Sequence, residues 1–285
     1  MEPAPIDWGA VARFYAIACV GPTAAGLLAW FLAGEGPSAT LTALAGVAMM
    51  CPLVATWWVH GGIRPWLRPS LDRWLLVAAG LPVLVAGLTI AAAALLPGVV
   101  IDPTLSAGLD RVAHLLGPDE LAAAKAQVAA FPGGPGALLG LGALQAVVAG
   151  STINAVMAFG EEVGWRGWLH RELAPLGFWS QNLSIGVMWG LWHAPLVLNG
   201  HNHPDHPVAG VFVFTAVCMA ISVVVGWLRD RSTVWHAAVF HGVVNAVATV
   251  AILPVAGPDL LIGLQGVAGL LSFAVVAGIL RIMRR

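Results

Sequence analysis

The sequence predicts an all-α polytopic membrane protein of eight transmembrane helices, and three observations predict it. Of 285 residues, 59% are hydrophobic and only 9% are charged, against about 25% charged in a soluble domain. Mean hydropathy is +0.86. Eight apolar runs each reach the roughly 20 residues that a bilayer demands. The basic residues then fall unequally on the two sides which those runs define. Such a composition excludes a water-soluble enzyme, a nucleic-acid binder and a disordered chain. A net charge of −1 offers no attraction to a polyanion.

The runs lie at about 11–33, 41–60, 74–97, 138–172, 180–199, 208–228, 234–253 and 260–280. The first has no basic start and no small-residue cleavage site, so it reads as a retained helix. The fourth is too long for one straight span and must tilt or kink. Eight crossings put both termini on one side. Of the 13 basic residues, 11 lie on that side, from Arg13 through Arg64, Arg68, Arg73, Arg166, Arg171, Arg229, Arg231 and Arg281 to Arg284 and Arg285. Only Arg111 and Lys125 lie on the other. The positive-inside rule makes the first side cytoplasmic, with N- and C-termini inside; a plasma membrane of prokaryotic type is the expected location. Trp66, Trp74, Trp165, Trp168, Trp179, Trp227 and Trp235 crowd the same ends, as an interfacial belt would.

The longest polar stretch is the outer loop 98–137. Leu105, Leu109, Val112 and Leu116 recur at helical spacing. Gly117-Pro118 breaks that run, and Asp119-Glu120 caps a second short helix through Ala124 and Val128. Two amphipathic helices on or against the outer leaflet are expected, a plain connector being the alternative. Cys19, Cys51 and Cys218 sit in apolar runs without a CxxC and read as buried thiols. Lys125 is the only lysine, so no Gly-Lys phosphate loop exists. With no internal repeat and no low-complexity tract, residues 1–285 form a single membrane domain.

Charges inside a bilayer are rare and usually functional. One run carries Gly160-Glu161-Glu162-Val163-Gly164-Trp165-Arg166. Helix neighbours sit about 100° apart, so Glu161 and Glu162 face different ways. Glu162 and Arg166 are spaced i, i+4 in the order that favours an ion pair. That pair leaves Glu161 free to face something else. The fifth run carries Trp189 and His193, and the seventh carries His241 and Asn245 on one helix face. A lone intramembrane His is more often a packing residue than a catalyst. Depth argues otherwise here. At 1.5 Å per residue, Glu161 lies about 15 Å from Arg171, His241 about 15 Å from Arg231, and His193 roughly 20 Å from Ser180. All three reach the middle of a core about 30 Å thick, which suggests one site wetted from the cytoplasmic side.

The ordered set Glu161-Glu162-x-x-x-Arg166, Trp189-x-x-x-His193 and His241-x-x-x-Asn245 resembles the CPBP intramembrane proteases. These are also called the ABI or CAAX-protease family and include the Rce1-type CAAX prenyl endopeptidases. The resemblance covers a core of about 145–250 and the count of eight helices. One departure is Trp189, where the family usually has Phe. There is no HExxH, GxSxG or GxGD. The resemblance implies a conical intramembrane catalytic cavity with Glu161, His193 and His241 at its centre.

The residues supply each part of peptide hydrolysis. Glu161 suits a general base, and His193 can hold the same water. His241 and Asn245 can donate to an oxyanion. Glu162 and Arg166 would orient their helix. Glu161, His193 and His241 also form a recognised zinc set; chemistry without a cofactor is preferred and zinc stays open. The expected partners are membrane lipid and a membrane-anchored or lipidated peptide, prenylated CAAX peptides among them, and no nucleic acid. Two other readings stand beside the endopeptidase: a transporter or channel with an intramembrane Glu/His relay, and a non-catalytic scaffold or immunity protein on the same fold. A second cluster, His201, His203, Asp205 and His206, reads as a solvated outer turn set by Pro204 and Pro207, metal binding being the alternative. His60, His114, His170 and His236 are given no role.

Overall fold

The computed structural model describes residues 5–34, 36, 38–111, 113 and 116–282. Among them the chain is helical apart from one short strand pair. The helices are α1 (Trp8–Ala33), α2 (Ala39–Ala48), α3 (Cys51–His60), α4 (Trp74–Ala93), α5 (Ser106–Arg111), α6 (Pro118–Ala129) and α7 (Gly134–Ser151). There follow α8 (Ile153–Glu162), α9 (His170–Glu172), α10 (Phe178–Trp192), α11 (Ala194–Val197), α12 (Pro207–Arg229), α13 (Val234–Ile252) and α14 (Val267–Ile282). Among the described residues six spans are long and apolar enough to cross a membrane: Trp8–Leu32, Ala39–His60, Trp74–Ala93, Gly134–Ser151, Pro207–Arg229 and Val234–Ile252. The fifth and eighth expected runs fall short for local reasons. Pro195 cannot continue a helix ladder, and α10 ends at Trp192, with His193 as its C-cap. The eighth run starts at Val267 and not near 260, because Gly257 and Gly263 take positive φ and Asp259 is committed elsewhere.

The long fourth run divides at Thr152, whose φ of −119° and ψ of −92° stop α7. Its hydroxyl donates to the Val148 carbonyl at 2.7 Å. The kink lies against α13, where a Cβ on Gly242 would come within 2.3 Å of the Gly150 carbonyl. Both α7 and α8 therefore pack on α13, which α4 covers from another side. In turn α12 packs on α10 and α14. Within the spans, 56% of the α12 window and 61% of the α13 window are buried, against 28% or less in the other four. Those two helices are the core, and the others present Leu, Val and Trp side chains outward.

Lipid supplies no hydrophobic force between helices, so close backbone approach through small residues takes its place. Gly186 and Gly190 of α10 meet Met219 and Thr215 of α12, with room for no Cβ at either position. Gly160 and Gly164 admit Met49, Met50 and Pro52 at the break between α2 and α3.

At the arginine-rich end four of the seven tryptophans expected in an interfacial belt are turned into the protein. Trp66, Trp165, Trp168 and Trp227 are buried. Phe14 packs edge-on to Trp165 and tilted against Trp168, and Trp165 meets Trp192. Arginines cover the rings instead of lipid headgroups, with Arg231 over Trp227 at 4.3 Å and Arg73 over Trp74 at 5.4 Å. Trp179 is more exposed, and Trp8, Trp30, Trp57 and Trp58 are the strongly exposed ones. Two of the unassigned histidines tie loops here, His170 to Asp230 at 3.0 Å and His236 to Asp72 at 3.4 Å. His60 bonds to the Gly62 carbonyl at 3.0 Å, while His114 and Val112 lie outside the described residues.

At the opposite end the 98–137 loop does hold two helices, α5 and α6, with Glu120 accepting from the Gly117 N–H at 2.9 Å. It is docked on protein. Val100 and Ile101 pair antiparallel with Ala256 and Val255, Arg111 donates to the Gly257 carbonyl, and Gly108 of α5 abuts Leu253. The histidine cluster is solvated only in part: Pro204, Asp205 and His206 are exposed, and the rest is held against protein. His203 is fully buried, and Asp259 accepts from His206 Nδ1 at 2.6 Å and from the Asp205 N–H at 2.9 Å. Burial opposes the Asp259 carboxylate, but those two bonds outweigh it and hold the group below its usual range. Burial, with His203 beside it, pushes His201 down from 6.5 to about 4.

Two outcomes follow from this packing. Gly186→Ala should lower the thermal midpoint in detergent, a cost of about 1–3 kcal/mol for overpacking, because its Cβ would meet the Met219 backbone at 2.4 Å. Gly80→Ala, with open space around it, should leave the midpoint unchanged or slightly raised. The docked loop should also be pH-sensitive. Between about 4 and 6.5 an opened His201 binds a proton that the closed loop refuses, so closure is complete above that window and weakens as pH falls through it. Amide exchange over residues 198–206 should quicken from pH 7.5 to pH 5; equal exchange, corrected for intrinsic rate, would refute the linkage.

Candidate active site

The polar motif sits where α8 gives way to a wider, π-helical stretch, Val163–Leu169. Such expansions often occur at functional sites. Glu161, Glu162 and Arg166 are all buried, at 1%, 0% and 0% exposure. The expected ion pair is present: Arg166 Nη1 donates to Glu162 Oε1 at 3.0 Å. The same oxygen accepts from His241 Nδ1 on α13 at 2.8 Å. Arg166 Nη2 donates to Ser222 Oγ on α12 at 2.9 Å. Glu162 thus ties α8, α12 and α13 into one network. A buried carboxylate is tolerable only with such partners.

Glu161 points to α10, where its Oε2 accepts from the Trp189 indole N–H at 2.6 Å. The Trp189 ring lies over the Arg166 guanidinium at 4.5 Å. It meets His193 and His241 edge-on, with centroids 5.6 Å and 5.2 Å away. The break after α10 sets His193. Its backbone N–H turns to the Gly190 carbonyl, and its ring Nδ1–H donates to the Trp189 carbonyl at 2.8 Å. Trp192 and Phe214 hold the other sides of the imidazole at 4.6 Å and 5.0 Å. Both histidines therefore commit Nδ1 and leave Nε2 for the site. His193 is half-buried and His241 buried. Asn245, one turn along α13, is exposed.

The structure thus brings Glu161, Arg166, His193 and His241 around one indole ring, with Glu162 behind them, bonded to Arg166 and His241. Asn245 stands at the margin and makes no hydrogen bond within this network. Trp189 and Ser222 are the members that the sequence did not mark. Trp189 stood in a motif, but only as a bulky aromatic; its N–H carries the contact. Ser222 is a lone hydroxyl in an apolar run and gives no pattern. As a zinc set the residues fit poorly: among the described residues no three His, Cys, Asp or Glu side chains stand close enough to share a metal. The indole also occupies Glu161 Oε2.

Residues 143–247 match the family model of the type II CAAX prenyl endopeptidases, Rce1-like. That stretch contains all three motifs, from Glu161 to Asn245, and nearly coincides with the core of 145–250 drawn from them. At family level this supports an intramembrane protease. No curated protein matches the chain.

Removing one partner of a buried pair strands a charge and costs about 3–5 kcal/mol. Arg166→Ala should accordingly destabilise the protein strongly. Arg166→Ala with Glu162→Gln should recover much of that loss, because a neutral amide oxygen still accepts from His241. Thermal unfolding in detergent compares the two. An Arg166→Ala protein of normal stability would assign the arginine to something other than this pair.

Proposed function

We propose that the protein is an intramembrane endopeptidase that uses Glu161 to activate water. The observation that supports this best is the pairing of a buried carboxylate with two imidazoles, each fixed through Nδ1 and open at Nε2. Water held between Glu161 and His193 Nε2 gives a proton to Glu161 as its oxygen bonds to the scissile carbonyl carbon. The carbonyl π pair moves onto oxygen. His241 Nε2 donates to that oxyanion when the ring is protonated, and Asn245 is the second donor from the same helix face. When the C–N bond breaks, the proton on Glu161 passes to the leaving nitrogen. A carboxylic acid and an amine result, and the base is restored.

Glu162 and Arg166 hold the helix and His241 in place and touch no reacting atom. In this reading water and peptide enter a conical cavity from the side of Asn245, which is exposed. In this reading α10–α11 and α14 complete eight crossings, despite their breaks, with both termini cytoplasmic in a prokaryotic-type plasma membrane. The substrates are membrane-anchored or lipidated peptides, reached through the surrounding lipid. The reaction is read as metal-free, because among the described residues no three potential ligand side chains stand close enough to share an ion.

The test is cleavage in detergent of prenylated and unmodified CAAX peptides, with and without a strong chelator. The wild type should cleave and withstand chelation. Glu161→Gln should fold normally and lose about 10²–10⁴-fold in rate, the share of a general base. Loss on chelation, restored by zinc, would move Glu161, His193 and His241 to a metal role. Transport of solute without cleavage would replace the hydrolase altogether.

A further inference from the structure

Trp189 touches four residues of the site at once. Its N–H holds Glu161, its face covers Arg166, its ring edges meet His193 and His241, and its carbonyl accepts from His193. Few of these contacts concern packing alone. Within the membrane, Glu161 Oε2 accepts a bond from an uncharged donor that cannot take its proton or leave the site. The other oxygen, Oε1, takes no hydrogen bond from the described residues. A carboxylate with one oxygen pinned presents the other in a single direction. The pin is itself immobile: the indole is clamped over Arg166, and Arg166 is fixed by Glu162 and Ser222.

We propose that Trp189 is the positioning residue for the general base, fixing Glu161 through its indole N–H so that Oε1 alone faces the reacting water. This rests on the endopeptidase reading and adds to it a residue that acts through Glu161. It also gives the ion pair a path to the chemistry. Glu162 sets Arg166, Arg166 sets the indole plane, and the indole sets Glu161.

The experiment uses the full-length protein in detergent. Nuclear magnetic resonance of ¹⁵N-indole-labelled protein should show one Nε1 proton far downfield, assigned by its loss in Trp189→Phe. Glu161→Ala should move that resonance upfield. Trp189→benzothienylalanine, an isosteric bicycle with sulfur in place of N–H, keeps the packing and removes only the donor. Its thermal midpoint should stay near that of the wild type. Its kcat for peptide cleavage should fall about 10- to 100-fold, the range of a hydrogen bond to a charged group, with KM unchanged. Trp189→Phe should show the same split if it folds; the isostere decides if it does not. An indole resonance indifferent to Glu161→Ala would overturn the proposal, and so would an isostere within twofold of the wild-type kcat. A wild type that cleaves no peptide would instead remove the reaction and the base's role with it, while the resonance still reports the indole contact.

Discussion

Glu162 is the constraint on which the rest depends. A carboxylate this deep in a bilayer protein loses its hydration and must be compensated at every turn. One oxygen accepts from a guanidinium four residues along its own helix and from an imidazole on another. The guanidinium then reaches a serine on a third helix and underlies an indole on a fourth. Loss of the Glu162–Arg166 pair would leave a charge in a medium that cannot solvate it, and the serine and indole contacts hold the guanidinium in that pairing. The helices are therefore held in register by polar groups at one depth, while lipid-facing Leu and Val set only the span.

This network needs helices closer together than large side chains allow, and glycines supply the approach. The Gly186–Gly190 step brings α10 onto α12, so that Trp189, between the two glycines, comes into reach of Arg166. Gly242 brings α13 against the Gly150–Ala155 kink, which sets His241 beside Glu162. In both helices a glycine adjoins the functional side chain. Close contact and polar function are thus encoded in the same few residues.

Much of this was legible in the sequence because the bilayer makes the pattern simple. Apolar length marked α1, α4, α12 and α13 to within a few residues, and i, i+4 spacing marked the Glu162–Arg166 pair. Three matters were not legible. The fifth run breaks at Pro195, which forecasts a break but not the short helix α11 that resumes around it, and the eighth depends on Gly257 and Gly263, whose positive φ shows only in the backbone. Tryptophans at the span ends suggest an interfacial belt; long-range partners such as Phe14 decide the burial of Trp165 and Trp168, and composition is silent on those. The histidine loop was read as solvated because its Pro-rich turn is polar. Its clasp comes from Asp259, more than 50 residues away in the chain.

The backbone breaks lead to the same place. Irregular backbone survives at membrane depth only where protein or a wet cavity covers it. The α2–α3 break at Met49–Met50 is covered by Gly160 and Gly164, which bracket the two glutamates. The α7–α8 kink at Thr152 is covered by Gly242, next to His241. The α10–α11 break falls at His193, whose ring takes up the Trp189 carbonyl. Each break lies against a residue of the candidate site, and each supplies a position that a continuous helix would not. An unbroken α10 would carry residue 193 in a regular turn, with its N–H directed to the carbonyl of residue 189. The break turns that N–H to Gly190, so the imidazole can accept the role of partner to Trp189 and keep Nε2 free. The interruptions that shorten the apparent spans are thus the means by which an apolar bundle holds a polar site.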